Sequence, residues 1–228
     1  MPLQCVAFAE PCTAKKKIRM PAPWYQDNAT FEIGVDEVGR GPMFGRVYTA
    51  AVVLPRDASF DFTKMKDSKK FHSKKKIDEA ALYIQSNAVA WAVTYEDEKT
   101  IDTVNILQAT QQCMHRSISE VVAKLPLGEP RMLLVDGNYF NAMEGLPHVC
   151  IEGGDDKFAS IAAASILAKV ARDAYIRDMC EDHPELKERY ALDKNKGYGT
   201  KEHMDGLKKY GGSPWHRQTF GMLKKHVF

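Results

Sequence analysis

Cysteine is scarce in this chain, long apolar runs are missing, and neither sign of charge dominates. The five cysteines stand at 5, 12, 113, 150 and 180, and no two form a C-x-x-C pair. An odd set without paired spacing argues against a disulfide framework or a zinc ribbon. It suits reduced thiols in an intracellular compartment, with cytoplasm, nucleus and organelle left open. The seven histidines show no ligand spacing either. No apolar stretch reaches the roughly 18 residues that span a bilayer, so no membrane partner is expected. Internal repeats and low-complexity linkers are absent. The N-terminus, MPLQCVAFAEPCTAKKKIRMPAP, places its lysines after its apolar segment, the reverse of a secretory signal. Its prolines at 2, 11, 21 and 23 argue against a packed element, so residues 1–29 are expected to form a flexible tail. Within that tail, Lys15-Lys16-Lys17-Ile18-Arg19 reads either as a nuclear or organellar address or as solvated surface.

Apolar residues make up 44% of the 228, enough for a sizeable core in one large domain. Two short runs, FEIGVDE and VYTAAVVLP, are β-branched and read as strands. KKKIDEAALYIQSN reads as a helix, and AVAWAVTYED alternates as a third strand. TVNILQATQQCMHRSISEVVAKL is expected to form one long amphipathic helix, with Val104, Leu107, Met114, Ile118 and Val121 near helical spacing. RMLLVDG and HVCIEGGDD read as buried strands that end in acids. KFASIAAASILAKVARDAYIRDMC is a helix rich in small residues, able to lie close to a sheet. Shorter helices and the loop NKGYGTKEH are expected after Pro184. The class is α/β, strands flanked by helices.

Three expected strands deliver acids at their C-terminal ends: Asp36 and Glu37, Asp136, and Asp155 with Asp156. Ligands of open α/β sheets gather outside those ends. Adjacent strands lie about 4.8 Å apart, so acids at like positions on neighbours crowd one another. Crowded, desolvated carboxylates repel, and divalent cations remove that cost. Oxygen ligands without His or Cys favour Mg²⁺ or Mn²⁺ over zinc. A lone Asp136-Gly137 is ordinary turn chemistry, however, and the set gains meaning only if the strands are neighbours.

GRGPMFG, from Gly39, follows the first acids. It resembles the dinucleotide fingerprint with one residue too many. That fingerprint needs a helix behind it, whereas here Pro42 and then a strand follow. Glycines at 39 and 41 instead let backbone groups approach a ligand, and Arg40 adds a charge suited to phosphate. Backbone contact with a sugar hydroxyl beside metal-held acids would separate RNA from DNA. A tight hairpin with an exposed arginine is the plainer alternative. The lysine run KMKDSKKFHSKKK, 64–76, reads either as a solvated face or, beside an acidic metal site, as a grip on phosphates extended by Lys196, Lys201, Lys208 and Lys209. Trp215, His216 and Arg217 read either as groove lining or as a packed Trp beside a surface Arg.

The blocks GVDEVGRGPMFGRV, KDSKK, LVDGN, GGDDKFASIAAASILAKVARD, NKGYGTKEH and SPWHRQTF fall in order between Ile33 and Phe220. Together they resemble the ribonuclease HII family. The resemblance implies a ribonuclease H-like α/β fold, a mixed central sheet flanked by helices, with a small helical C-terminal extension. The catalytic domain would cover 30–228, its helical part starting at about 184. The implied activity is endonucleolytic hydrolysis of RNA in RNA–DNA hybrids, with incision 5′ to single ribonucleotides in duplex DNA. Two ions, Mg²⁺ or Mn²⁺, would serve it, and products would carry a 3′-hydroxyl and a 5′-phosphate. Ribonucleotide excision repair and DNA replication are the implied settings. The family's catalytic, metal-holding acids fall on Asp36, Glu37, Asp136 and Asp155, with Asp156 leaving the register open by one. Its substrate contacts fall on Gly39, Arg40, Gly41, Ser68, Lys69, Lys70 and Tyr198, while Asp173 falls behind the ligands. A single-chain enzyme is expected, with no protein partner identified. Val38, Met43-Phe44 and Arg46 depart from the family pattern, which touches packing rather than the ligand set.

Overall fold

The computed structural model describes residues 20–27, 30–65, 68, 71, 73–129 and 131–224. Lys69, Lys70 and the basic segment at 15–19 lie outside the described residues. The strands are β1 (Phe31–Val38), β2 (Val47–Val53), β3 (Ala90–Glu96), β4 (Arg131–Asp136) and β5 (His148–Ile151). They form one mixed sheet in the order β3-β2-β1-β4-β5. β1, β2 and β3 pair antiparallel, and β4 and β5 continue parallel to β1. The helices are α1 (Lys74–Asn87), α2 (Glu98–Val104), α3 (Ile106–Val122), α4 (Ala159–Asp182), α5 (Glu185–Tyr190), α6 (Leu192–Asn195) and α7 (Lys201–Tyr210).

Strand alternation divides the core in two. Ile33, Val35, Ala51 and Val53 pack with Met114, Ile118 and Val121 of α3. Ala50 and Val52 pack on the other face with Ala159, Ala162, Ala163 and Ile166 of α4. All of β2 is therefore buried, and its polar Thr49 meets Thr94, Cys113 and Ser117 there. Gly34 faces α4 at very short range. A Cβ there would lie 2.1 Å from the Ser160 carbonyl carbon and 2.4 Å from the Ile161 nitrogen. The small residues of α4 and the missing side chain at 34 thus set the helix directly on β1. Asp36, two residues on, shares that face.

Three features differ from expectation. The long helix is broken: α2 ends at Val104, and Asn105 (φ 70°) starts α3 with its side chain accepting the Gln108 N–H. At φ 70° and ψ 164° that backbone is strained for a residue with a side chain, and the cap it gives the new helix offsets the strain, so one residue overrides the continuous apolar period. Residues 20–27, expected within a tail, lie along the body. Ala22 bridges Phe158, and Trp24 packs edge-on against Phe62. Asp155 and Asp156 do not end β5 but sit beyond it, in a one-turn 3-10 helix, Gly154–Asp156.

Gly34→Ala is expected to force α4 off the sheet at a cost of about 3 kcal/mol. Thermal unfolding should then fall by roughly 6–12 °C for a domain of this size. A midpoint unchanged from wild type would show that the close approach is not needed.

Candidate active site

Parallel pairing decides where the acids go. Val35 stands opposite Val135 in the β1–β4 ladder, so Asp36 and Asp136 follow side by side at the C-terminal ends of neighbouring strands. Asp36 is buried, and Glu37 beside it is half-buried. Burial pushes the Asp36 carboxyl well above the usual carboxylate range, and the charges of Glu37 and Asp136 push the same way. Glu37 is raised as well, first by burial and also by Asp136, against the opposing pull of Arg40 at 3.4 Å. Local donors hold the acids in place. The Glu37 N–H donates to Asp36 Oδ1 at 2.7 Å, and the Gly154 N–H to Asp136 Oδ1 at 2.6 Å.

These residues border a cleft of about 480 Å³ with Val38, Gly39, Arg40, Gly41, Ser68, Ser165, Lys169 and Tyr198. The structure thus brings together Asp36, Glu37, Asp136, Gly39, Arg40, Gly41, Ser68 and Tyr198, which the sequence nominated from distant segments. Asp155 is not part of that lining among the described residues. It is buried next to Gly154, the residue that holds Asp136, whereas Asp156 is exposed. Asp173 is not part of the cleft lining; it borders a separate cavity with Lys74, Ile77 and Asp78 and holds Lys169, which is on the lining, in an ion pair of 2.7 Å.

Ser68 is buried rather than offered to solvent. Its hydroxyl lies 3.0 Å from that of Ser165, which in turn bonds the Asp36 carboxyl. Ser165, Lys169 and Asp173 form an i, i+4 stripe along α4, a signal the sequence carried but which the small-residue character of the helix obscured. Arg217 and His216 do not line the groove, and Arg217 is no surface residue. Both are buried. Arg217 donates to the carbonyls of Gly39, Arg40, Pro42 and Gly45. The Ser213 N–H donates to His216 Nδ1 at 2.9 Å, which leaves the His216 proton on Nε2 for His203 Nε2, also at 2.9 Å. His203 then donates from Nδ1 to the Tyr198 carbonyl at 2.9 Å. Burial and the neighbouring ring hold His216 to about 3, so the pair is neutral and structural. The departures Met43, Phe44 and Arg46 are absorbed by packing. Phe44 is buried edge-on against His216, and Arg46 lies over the rings of Tyr95 and Tyr175.

Among the described residues, no group of three or more His, Cys, Asp or Glu side chains is already arranged to hold a metal ion. The donor set still fits a divalent cation. It is all oxygen, it is desolvated, and its mutual repulsion is what a dication would relieve.

A family model for ribonuclease HII matches residues 33–223. Ribonuclease HII of Bacteroides thetaiotaomicron is 41% identical over 199 residues, covering 87% of this chain and 94% of that protein. The Neisseria gonorrhoeae ribonuclease HII is 42% identical over 191 residues, covering 84% and 92%. Among solved structures, ribonuclease HII of Archaeoglobus fulgidus, in a complex with PCNA, superposes with a TM-score of 0.65 at 22% identity, over 86% of this chain and 98% of that one. Bst-RNase HIII in complex with Mn²⁺ gives 0.56 at 18% identity, over 79% and 70%. These neighbours confirm a ribonuclease H-like α/β fold. A family model that spans nearly the whole sheet and its helices, together with relatives above 40% identity, means that the chain belongs to the ribonuclease HII family, metal-dependent endoribonucleases that hydrolyse phosphodiester bonds of RNA in RNA–DNA hybrids.

Proposed function

We propose that the chain also incises duplex DNA on the 5′ side of single embedded ribonucleotides, using two divalent ions, Mg²⁺ or Mn²⁺, and leaves a 3′-hydroxyl and a 5′-phosphate. The observation that carries this is a shared cleft. The acids Asp36, Glu37 and Asp136 border the same space as Gly39, Arg40, Gly41 and Tyr198. One wall thus suits the scissile phosphate and the other a single sugar. Removal of ribonucleotides from DNA, in repair and replication, is the corresponding setting.

Asp36, Glu37 and Asp136 would hold the ions, with Asp155 as the fourth acid. Bound there, divalent ions neutralise the phosphate, lower the pKa of water and stabilise the departing 3′-oxygen. The chain's own groups do the rest. Arg40 is half-exposed and supplies a positive charge beside Glu37. Lys169, steadied by Asp173, supplies a second cation on the lining. Asp36 is fixed through Ser165 and Ser68, so its carboxylate cannot swing away from its neighbours. Tyr198 exposes its ring opposite Gly41, where a Cβ would already lie 3.6 Å from the ring edge. A sugar entering that gap meets backbone on one side and an aromatic face on the other. The 2′-hydroxyl is sensed there and does not attack. Residues 30–228 act as one catalytic unit in this scheme, the helical part from about 184 included.

The direct test is a duplex with one embedded ribonucleotide. Mg²⁺- or Mn²⁺-dependent nicking on its 5′ side is expected; binding without cutting would end the proposal. Asp136→Asn should lower the rate by at least roughly 10³-fold and largely spare binding. Equal loss of both would assign Asp136 to folding.

Gly41 has ordinary φ, and an added methyl meets no clash within the protein. Gly41→Ala should therefore leave stability within about 0.5 kcal/mol of wild type. Cutting should nevertheless fall about 10²-fold, because the sugar is displaced. Unimpaired cutting would remove this loop from the substrate.

The raised Asp36 carboxyl has a consequence for stability. An acid whose folded-state pKa is raised destabilises the fold once it ionises. Its penalty is absent below the unfolded value and complete above the folded one. Without metal, Asp36→Asn should thus gain roughly 1–2 kcal/mol at neutral pH and little at pH 3. The rise in melting temperature on adding Mg²⁺ should shrink in the same variant. A less stable variant with an undiminished Mg²⁺ response would contradict the assignment.

A further inference from the structure

The segment from Gly39 to Gly45 leaves the β1–β2 ladder, so something other than strand pairing must fix its shape. Its carbonyls converge on one side chain. Arg217 Nη2 donates to Gly39 O at 2.7 Å, and Nη1 donates to Arg40 O at 3.0 Å and Pro42 O at 2.7 Å. Nε donates to Gly45 O at 2.8 Å. Arg217 is fully buried, so these carbonyls face the interior. A trans peptide holds its N–H opposite its C=O, and the described residues contain no cis bond. Turning Gly39 O and Arg40 O inward therefore turns the N–H groups of Arg40 and Gly41 outward. Both residues are exposed and border the cleft. Pro42 shows the same rule at work. Its carbonyl goes to Arg217, and the next N–H, of Met43, runs the other way to Gly197 O at 2.9 Å.

We propose that Arg217 is a positioning residue that determines specificity, turning the Arg40 and Gly41 amides into the cleft as a fixed pair of donors for an oxygen of the ribose or its adjoining phosphate. This rests on the reading of the Gly39–Gly41 loop as a substrate contact. Arg217 itself never meets substrate. A guanidinium suits the task because its donors are spread across a rigid plane, whereas an ammonium offers one point. Its charge is directed to backbone oxygen, which strengthens each bond in the dry interior. Burial and the nearby Arg172 lower its pKa to about 9, so it stays protonated at neutral pH. The two glycines then have separate reasons. Gly39 has φ +100° and lies so close to Arg172 that a Cβ would sit 2.5 Å from its Nε. Gly41 is free of such constraint and keeps the outward amide accessible.

The test compares two duplexes, one with a single embedded ribonucleotide and one all-DNA, bound to ¹⁵N-labelled wild-type protein in chelator so that nothing is cut. The Arg40 and Gly41 amide resonances should differ between the two complexes; identical positions overturn the proposal. In Arg217→Lys, the preference in Kd for the ribonucleotide duplex should fall at least about tenfold. Its melting-temperature response to Mg²⁺ should remain. A folded variant with undiminished preference overturns the proposal, as does one that loses preference and Mg²⁺ response together, which marks a general folding role. Should Arg217→Lys fail to fold, the wild-type resonances decide. Failure of the wild type to nick the ribonucleotide duplex with Mg²⁺ would instead sink the functional reading, and the amide comparison is scored separately.

Discussion

Asp36 and Asp136 occupy matching positions on parallel strands, and nearly everything around them answers to that register. Two carboxylates about 4.8 Å apart along a sheet are tolerable in water and costly when desolvated. The protein does not separate them. It places backbone donors on them, from Glu37 and Gly154, and a hydroxyl from Ser165. Such bonds fix direction without offsetting burial and crowding, which keep the Asp36 and Glu37 carboxyls above the usual carboxylate range. The rest of the fold must outweigh that repulsion. Gly34 and the alanine-rich face of α4 do so by closing the sheet–helix gap almost to backbone contact. The same closeness delivers Ser165 to Asp36. Packing and electrostatics are thus linked through one helix face.

A second constraint operates one turn away. The loop after β1 is polar backbone with few ladder partners, which is unstable unless its carbonyls are met. Arg217 meets them, and Arg172 adds contacts to Lys196 O at 2.9 Å and, more weakly, to Phe44 O and Arg46 O. Burying two guanidiniums would be unfavourable if they faced apolar groups. Carbonyl dipoles solvate Arg217 fully and Arg172 in part, the Arg172 Nη1 being buried without a hydrogen-bond partner among the described residues, so charge and loop stabilise each other mainly through Arg217.

Much of the architecture was readable in the chain. The strands, α1 and α4 follow from β-branched runs and small-residue periodicity, and the DE, Asp136 and GRG positions follow from strand ends and glycine spacing. What escaped has physical causes. Asn105 breaks a continuous apolar period because a single cap outweighs it, though an asparagine in mid-helix was the available warning. Asp155 does not end a strand because the chain turns before reaching it: Gly153 takes φ 61° and starts the 3-10 helix. The full burial of Arg172 and Arg217 was not expected, because arginine belongs on surfaces by default. Their partners in the loop after β1 lie well over a hundred residues away, and no local pattern encodes such a contact. Residues 20–27 were obscured by their prolines, which forbid ladders but not packing.

The broken helix and the buried arginine meet in one contact. Asp102 of α2 accepts the N–H groups of Gln218 and Thr219 at 2.7 and 2.9 Å, and the Thr219 hydroxyl at 2.6 Å. That anchors the chain directly after Arg217. Had α2 and α3 formed one straight helix, Asp102 would follow the α3 axis and could not be aimed independently at this segment. The break at Asn105 frees α2 to do so. On the other side of Arg217, Gly45 N bonds Trp215 O and Arg217 N bonds Met43 O, so the segment is stitched to the loop it supports. The C-terminal part, a small helical appendage when judged by size, therefore backs the Gly39–Gly45 loop, whose first residues border the cleft, and supplies Tyr198 to its lining. Residues 213–219 are thus tied to Gly39 and Arg40 through Arg217, and to Tyr198 through His216 and His203, without a direct hydrogen bond to Asp36, Glu37 or Asp136.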